Sequence, residues 1–128
     1  MATIPYLVSD MISRIRVGYI TKMSFVKVLN SVFCCKILNI LLREGYILSY
    51  EQSGYNCLVF LKYNDGNSAI KNITILSTPR KMQRVTFLEL QQKIIQPFLI
   101  LSTSYGLLTK EEAIRKRTGG LLLLSITC

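Results

Sequence analysis

Residues 97–120, PFLILSTSYGLLTKEEAIRKRTGG, hold three kinds of chain in one run. Phe98-Leu99-Ile100-Leu101 is an unbroken apolar stretch, the composition of a strand covered on both faces. It stops at Ser102-Thr103-Ser104-Tyr105-Gly106, which carries three hydroxyls, an aromatic ring and a glycine but no charge. Thr109 and Glu112 then have the spacing of a capping box, in which the threonine side chain and the glutamate side chain satisfy each other's backbone N–H groups. A short helix is predicted there. Gly119-Gly120 ends it, and the following LLLLSI closes the chain as a strand. This half of the molecule is therefore expected to be mostly β with one short helix.

The residues before it read differently. Ser77-Thr78-Pro79-Arg80-Lys81 predicts a connector, because proline disfavours helix before it and donates nothing to a sheet. Another capping-box spacing, Thr86 and Glu89, predicts a short helix just beyond. Upstream, LVSDMISRIRV places Val8, Met11, Ile12 and Ile15 on one helical face. A strand follows at Phe25–Leu29. Ser31 then caps SVFCCKILNILLRE, an all-round apolar helix that Gly45 ends. Strands are predicted at Tyr46–Tyr50, Asn56–Tyr63 and Ala69–Leu76. Asp65-Gly66 supplies the positive φ for a hairpin between the last two. The order α-β-α-β-β-β, followed by a β-rich half, predicts an α+β protein of two small lobes, 1–76 and 77–128.

Composition narrows the function. Lys and Arg number 16 against 7 acidic residues in 128, a net charge of +9. Such an excess favours a polyanion, since cations release the counterions condensed on phosphates. The excess lies in the flanks: six basic and two acidic residues in 1–50, two of each in 51–76, and eight against three in 77–128. There is no His, which removes the commonest general base. The carboxylates do not cluster, and no phosphate-binding G-x-x-x-x-G-K-[ST] loop is present. An enzyme is not expected, nor is a cofactor or small-molecule substrate. The four cysteines form no C-x-x-C pair, so buried thiols are expected rather than a metal site or disulfides. No apolar run approaches the ~18 residues of a membrane span. The first residues resemble neither a secretory signal nor a transit peptide, and a chain in aqueous solution is expected.

The uncharged hydroxyls admit two readings. One is a cradle for phosphate and ribose: hydroxyls donate to phosphate oxygens and exchange hydrogen bonds with a 2′-OH, Tyr105 stacks, and Gly106 permits close approach. The other is a turn whose hydroxyls satisfy local backbone groups. Arg115-Lys116-Arg117 close by favours RNA.

The run STSYGLLTKEEAIRKRTGG resembles the C-terminal signature of the small-subunit ribosomal protein eight family. VSDMISRIR is similar to that family's opening helix, REGYI to the end of its second helix, and LVFLKY with NITILSTPR to its central strands and Ser-x-Pro connector. The matches run in order along the chain. The resemblance implies a non-enzymatic two-lobed protein that binds the central domain of small-subunit ribosomal RNA beside neighbouring ribosomal proteins. It points to Ser102, Thr103, Ser104, Gly106, Gly119 and Gly120 as RNA contacts, with Ser13, Arg14, Arg16, Ser77 and Pro79 as further ones. Tyr105, Arg115, Lys116, Arg117 and Arg80 join them as neighbouring groups of the right chemistry. Tyr105 stands where a lysine is common, Val17 where an asparagine is usual, and Arg80 where a glycine follows the proline. The divergence implies an organellar version, mitochondrial first, with a plastid or a bacterial cytoplasm as alternatives. The competing reading is a basic protein-interaction or membrane-surface module. Segment 109–117 has only Ala113 and Ile114 as apolar residues, too few for an interfacial helix.

Overall fold

The computed structural model describes residues 6–77, 81–92 and 98–127. They form two compact units, which divide between Asn72 and Ile73.

The first unit opens with helix α1 (Tyr6–Ile20), strand β1 (Phe25–Leu29), helix α2 (Val32–Arg43) and strands β2 (Ile47–Ser53) and β3 (Asn56–Leu61). The sheet is antiparallel in the order β1-β3-β2. Strands β1 and β3 alternate as a half-buried sheet should. Val26, Val28, Cys57 and Val59 are buried, together with Met11, Ile12 and Ile15 of α1 and Ile37, Leu38 and Leu41 of α2. Phe25, Lys27 and Leu29 lie on the other face, with Phe25 and Phe60 rings 5.9 Å apart. Ser31 is the N-cap of α2, but its hydroxyl makes no capping bond.

The predicted hairpin is only partly present. Asp65 and Gly66 do turn the chain at positive φ, yet they join just β4 (Tyr63–Asn64) to β5 (Asn67–Ser68). The next strand, β6 (Asn72–Ile75), does not return to β3. It pairs with the last strand of the chain, in the second unit. Residues 73–76, read from sequence as part of the first lobe, therefore build the second.

That unit continues with β7 (Arg84–Val85), α3 (Phe87–Gln92), β8 (Phe98–Thr103), β9 (Gly106–Thr109), α4 (Lys110–Arg115) and β10 (Gly120–Thr127). Its sheet runs β6-β10-β8-β9, with β7 also pairing with the start of β10. Phe98–Leu101 and Leu121–Leu124 are buried without alternation, as strands covered on both faces must be. Leu90, Leu99, Leu101, Leu108, Ala113 and Leu122 form one core cluster. A bulge between Leu122 and Leu124 frees the Leu123 carbonyl to accept from the Leu76 N–H at 2.7 Å. Both capping boxes are formed: Thr86 with Glu89, and Thr109 with Glu112.

The end of α4 corrects a prediction. Gly119 does not stop the helix. Arg117 does, in the left-handed conformation at φ +54, where its N–H reaches the Ile114 carbonyl and that of Thr118 reaches Ala113. Helix α2 ends with the same pair of bonds around Gly45, as expected.

Candidate nucleic-acid interface

The hydroxyl run proves to be a tight hairpin. Thr103 pairs with Gly106, so Ser104 and Tyr105 form the loop. Gly106 has φ +102, a conformation that a side chain would strain. The three hydroxyls divide their work. Thr103 Oγ1 donates to the Gly106 carbonyl at 2.9 Å and accepts from the Tyr105 N–H at 3.0 Å, holding the turn. Among the described residues, the Ser102 and Ser104 side chains have no hydrogen-bond partner. The turn reading therefore holds for Thr103, while the Ser102 and Ser104 hydroxyls are left over from the turn.

Ser102 and Ser104 open onto a cleft of about 830 Å³. Its walls are the β8 end with Ser102, Thr103 and Ser104, the start of β10 with Thr118, Gly119 and Gly120, and the segment Arg84–Thr86 with Glu89. The glycine pair brings these walls together by having no side chains. A Cβ on Gly119 would sit 2.2 Å from the Val85 carbonyl oxygen, and one on Gly120 would sit 2.5 Å from that of Ser102. Glu89 is occupied in capping, since its carboxylate accepts the Thr86 N–H at 3.0 Å. The walls are thus mostly hydroxyls and backbone groups, with Arg84 as the cation among them.

The basic run stands next to the cleft rather than in it. Arg115, Lys116 and Arg117 are exposed at the end of α4, immediately before Thr118. Lys116 Nζ lies 5.2 Å from the centre of the Tyr105 ring, a cation–π contact that ties α4 to the hairpin tip. Tyr105 remains 62% exposed, so an aromatic face is still offered to a base.

The remaining sequence candidates are elsewhere. Ser77 is fully buried, and its hydroxyl accepts the Gln83 N–H at 2.8 Å, so it works inside the fold. Pro79 and Arg80 lie outside the described residues. Ser13, Arg14 and Arg16 belong to α1 of the first unit. Sequence reading missed Arg84, Thr86 and Thr118 as cleft residues. The Thr86/Glu89 capping box marked a helix start, but nothing local showed which strand end it would face. Among the described residues no helix is long and apolar enough to cross a membrane.

Residues 7–127 match the family described as Ribosomal protein S8. The chain belongs to the ribosomal protein S8 family. Its relatives include small ribosomal subunit protein uS8m of Acanthamoeba castellanii, 37% identical over 94% of this chain and 98% of that protein. Protein uS8c of Tupiella akineta is 38% identical over 93% of this chain and 95% of its own length. Protein uS8 of Rubrobacter xylanophilus is 36% identical over 91% and 92%. The S8 family is a family of small-subunit ribosomal proteins and not of enzymes. The mixed α+β architecture is that expected of it.

Proposed function

We propose that this S8-family chain binds the central domain of small-subunit ribosomal RNA through the cleft of its second unit and thereby supports subunit assembly. The observation that carries this reading is the pair of unpartnered hydroxyls, Ser102 and Ser104, on the wall of a large cleft. Uncharged donors and acceptors recognise 2′-OH groups and backbone shape, while the exposed Arg115-Lys116-Arg117 run supplies attraction that depends little on RNA structure. Tyr105 is available to stack. Neighbouring small-subunit proteins are the other partners. Ser13, Arg14 and Arg16 carry no part of this reading. A mitochondrial small subunit is the proposed location, supported by the similarity to the mitochondrial-type uS8m.

The test is filter binding of the full chain to a central-domain transcript across a salt series. Ser104→Ala is expected to weaken binding about fivefold, the value of one net hydrogen bond of about 1 kcal/mol, and to leave the salt slope unchanged. Arg115→Ala and Lys116→Ala are each expected to flatten the slope by about one contact. Equal slope changes in all of them, or no preference for the transcript over heparin, would overturn the reading.

A further inference from the structure

The first unit carries a concave surface of another kind. Strand β1 is an edge of its sheet, with β3 on one side and, among the described residues, no strand on the other. The ladder fixes which groups face outward. Leu61 N–H donates to the Ser24 carbonyl and Asn30 N–H to that of Tyr55, so the even-numbered residues of β1 bond to β3. The N–H and C=O groups of Phe25, Lys27 and Leu29 therefore point out of the sheet. Among the described residues, the Lys27 carbonyl alone of these is met, by a long hydrogen bond of 3.3 Å from the exposed Arg14 guanidinium. Natural edges this open are usually covered or blocked.

A groove of about 430 Å³ runs along the same edge, lined by Val17, Met23, Phe25 and Val26 with Arg14 and Lys27. Three of its four apolar members are unusually open: Val17 is 55% exposed, Met23 46% and Phe25 42%.

We propose that this edge receives an extended segment of a neighbouring protein, one alternating apolar and acidic residues, which adds to the sheet as a fourth strand beside β1. Three observations select that occupant. Only a polypeptide in β conformation repeats N–H and C=O groups at the spacing of the outward Phe25, Lys27 and Leu29 groups. Alternate side chains of such a strand fall on one face, so apolar ones enter the groove while the others meet its rim. The rim carries Lys27, whose cation favours an acidic partner, beside Arg14, which Asp10 already holds in an ion pair at 3.0 Å. A second copy of this chain fits poorly, because antiparallel pairing of two β1 strands sets lysines against lysines in a protein of charge +9. RNA offers no matching ladder and gains little from an apolar groove.

The test uses the full chain, isotope-labelled for NMR, and a synthetic peptide alternating valine and glutamate, with a valine–lysine peptide as control. The acidic peptide is expected to shift the Phe25, Lys27 and Leu29 amides and to slow hydrogen exchange at them, the control to bind about tenfold more weakly or less. Lys27→Pro removes one outward N–H without touching the ladder to β3 and is expected to weaken binding about tenfold. Val17→Asn, at an exposed helix position, should weaken it several-fold even if the proline variant fails to fold. Equal binding of both peptides, unchanged affinity in Val17→Asn, or protection of the same amides by a structured transcript alone would each overturn the proposal.

Discussion

The cleft of the second unit and the groove of the first are both concave and both lie at the margin of a sheet, yet their walls are opposites. The cleft is walled by hydroxyls, glycines and backbone groups. The groove is walled by valines, a methionine and a phenylalanine, and runs beside unpaired strand backbone. A chain of charge +9 thus puts few cations in either hollow: Arg84 in the cleft, Arg14 and Lys27 along the groove. Under the proposed function, long-range attraction and close recognition are carried by different residues, and mutation can separate them. The two units also differ in what holds them tight. Each depends on a glycine where two elements approach closely, Gly18 in α1 and Gly119 before β10, but the atoms those glycines face are not alike.

That difference yields the largest expected effect. A Cβ on Gly119 meets the Val85 carbonyl oxygen at 2.2 Å and Thr86 backbone atoms at 2.8 and 2.9 Å. Backbone cannot swing aside as a side chain can. Gly119→Ala must push β7 from β10, and its cost is expected to be about 2–3 kcal/mol, at the upper end of overpacking changes. A Cβ on Gly18 meets only side-chain atoms, Val26 Cγ1 at 2.5 Å and Leu61 Cδ1 at 2.9 Å. Rotamer changes relieve that clash in part, and alanine regains about 1 kcal/mol of helix propensity. Gly18→Ala is expected to cost about 1 kcal/mol or less. Urea unfolding of both variants checks the order. A larger loss for Gly18→Ala would show that the first unit, and not the second, has the less forgiving contact. RNA affinity should follow Gly119→Ala alone, since Val85 and Thr86 are cleft walls.

The same contrast explains what the sequence disclosed. Features set by neighbouring residues were legible: strand Phe25–Leu29, both capping boxes and the Gly45 helix end. Features set by distant residues were not. The alternation in Ala69–Leu76 announces a strand, but period two is silent about the partner, and β6 crosses to β10 instead of closing a hairpin on β3. Strand β9 escaped because Leu107-Leu108 between a turn and a helix cap is too short for a periodic signal. Gly119-Gly120 invites a helix-stop reading, since glycine commonly does that. Its real service, close passage beside Val85 and Ser102, exists only once three strands have met. The hydroxyls of the cleft could be named, but not which were already spent on the turn.

The next effect separates the units by pH. Cys34, Cys35 and Cys57 are buried and free in the first unit. Burial, reinforced by the neighbouring Cys35, pushes the Cys57 thiol up from 9.0 to about 11. In the unfolded chain this thiol ionises near its ordinary value, whereas the fold keeps it protonated. The stability it confers is complete below pH 9 and drains away as pH rises toward 11. Burial also raises the Tyr19 hydroxyl, which acts in the same direction from pH 10 upward. Stability measured at pH 8, 9, 10 and 11 is expected to hold up to about pH 9 and to fall above it, and Cys57→Val should make the fall shallower. An unchanged slope in that variant would assign the alkaline loss to the tyrosines.

The smallest effect concerns two helix ends of identical geometry and different cost. Helix α1 turns off at Lys22, φ +60, and α4 at Arg117, φ +54, both positions where glycine is the usual residue. Lys22 gains something for its strain: its Nζ donates to the Gly66 carbonyl at 2.6 Å and lies over the Tyr63 ring at 5.5 Å. Among the described residues the Arg117 guanidinium makes no comparable contact. Replacing it with glycine removes the left-handed penalty but gives the unfolded chain more freedom, and the balance is a stabilisation of about 0.5 kcal/mol, a fraction of the usual glycine advantage. Lys22→Gly loses two contacts along with its strain and is expected to be neutral or destabilising. If Arg117 is retained for a partner, Arg117→Gly should stabilise the fold and weaken RNA binding together, with the salt slope reduced by about one contact. Parallel melting and filter-binding measurements decide it: stabilisation with undiminished binding would mean that this strained arginine serves neither the fold nor the RNA.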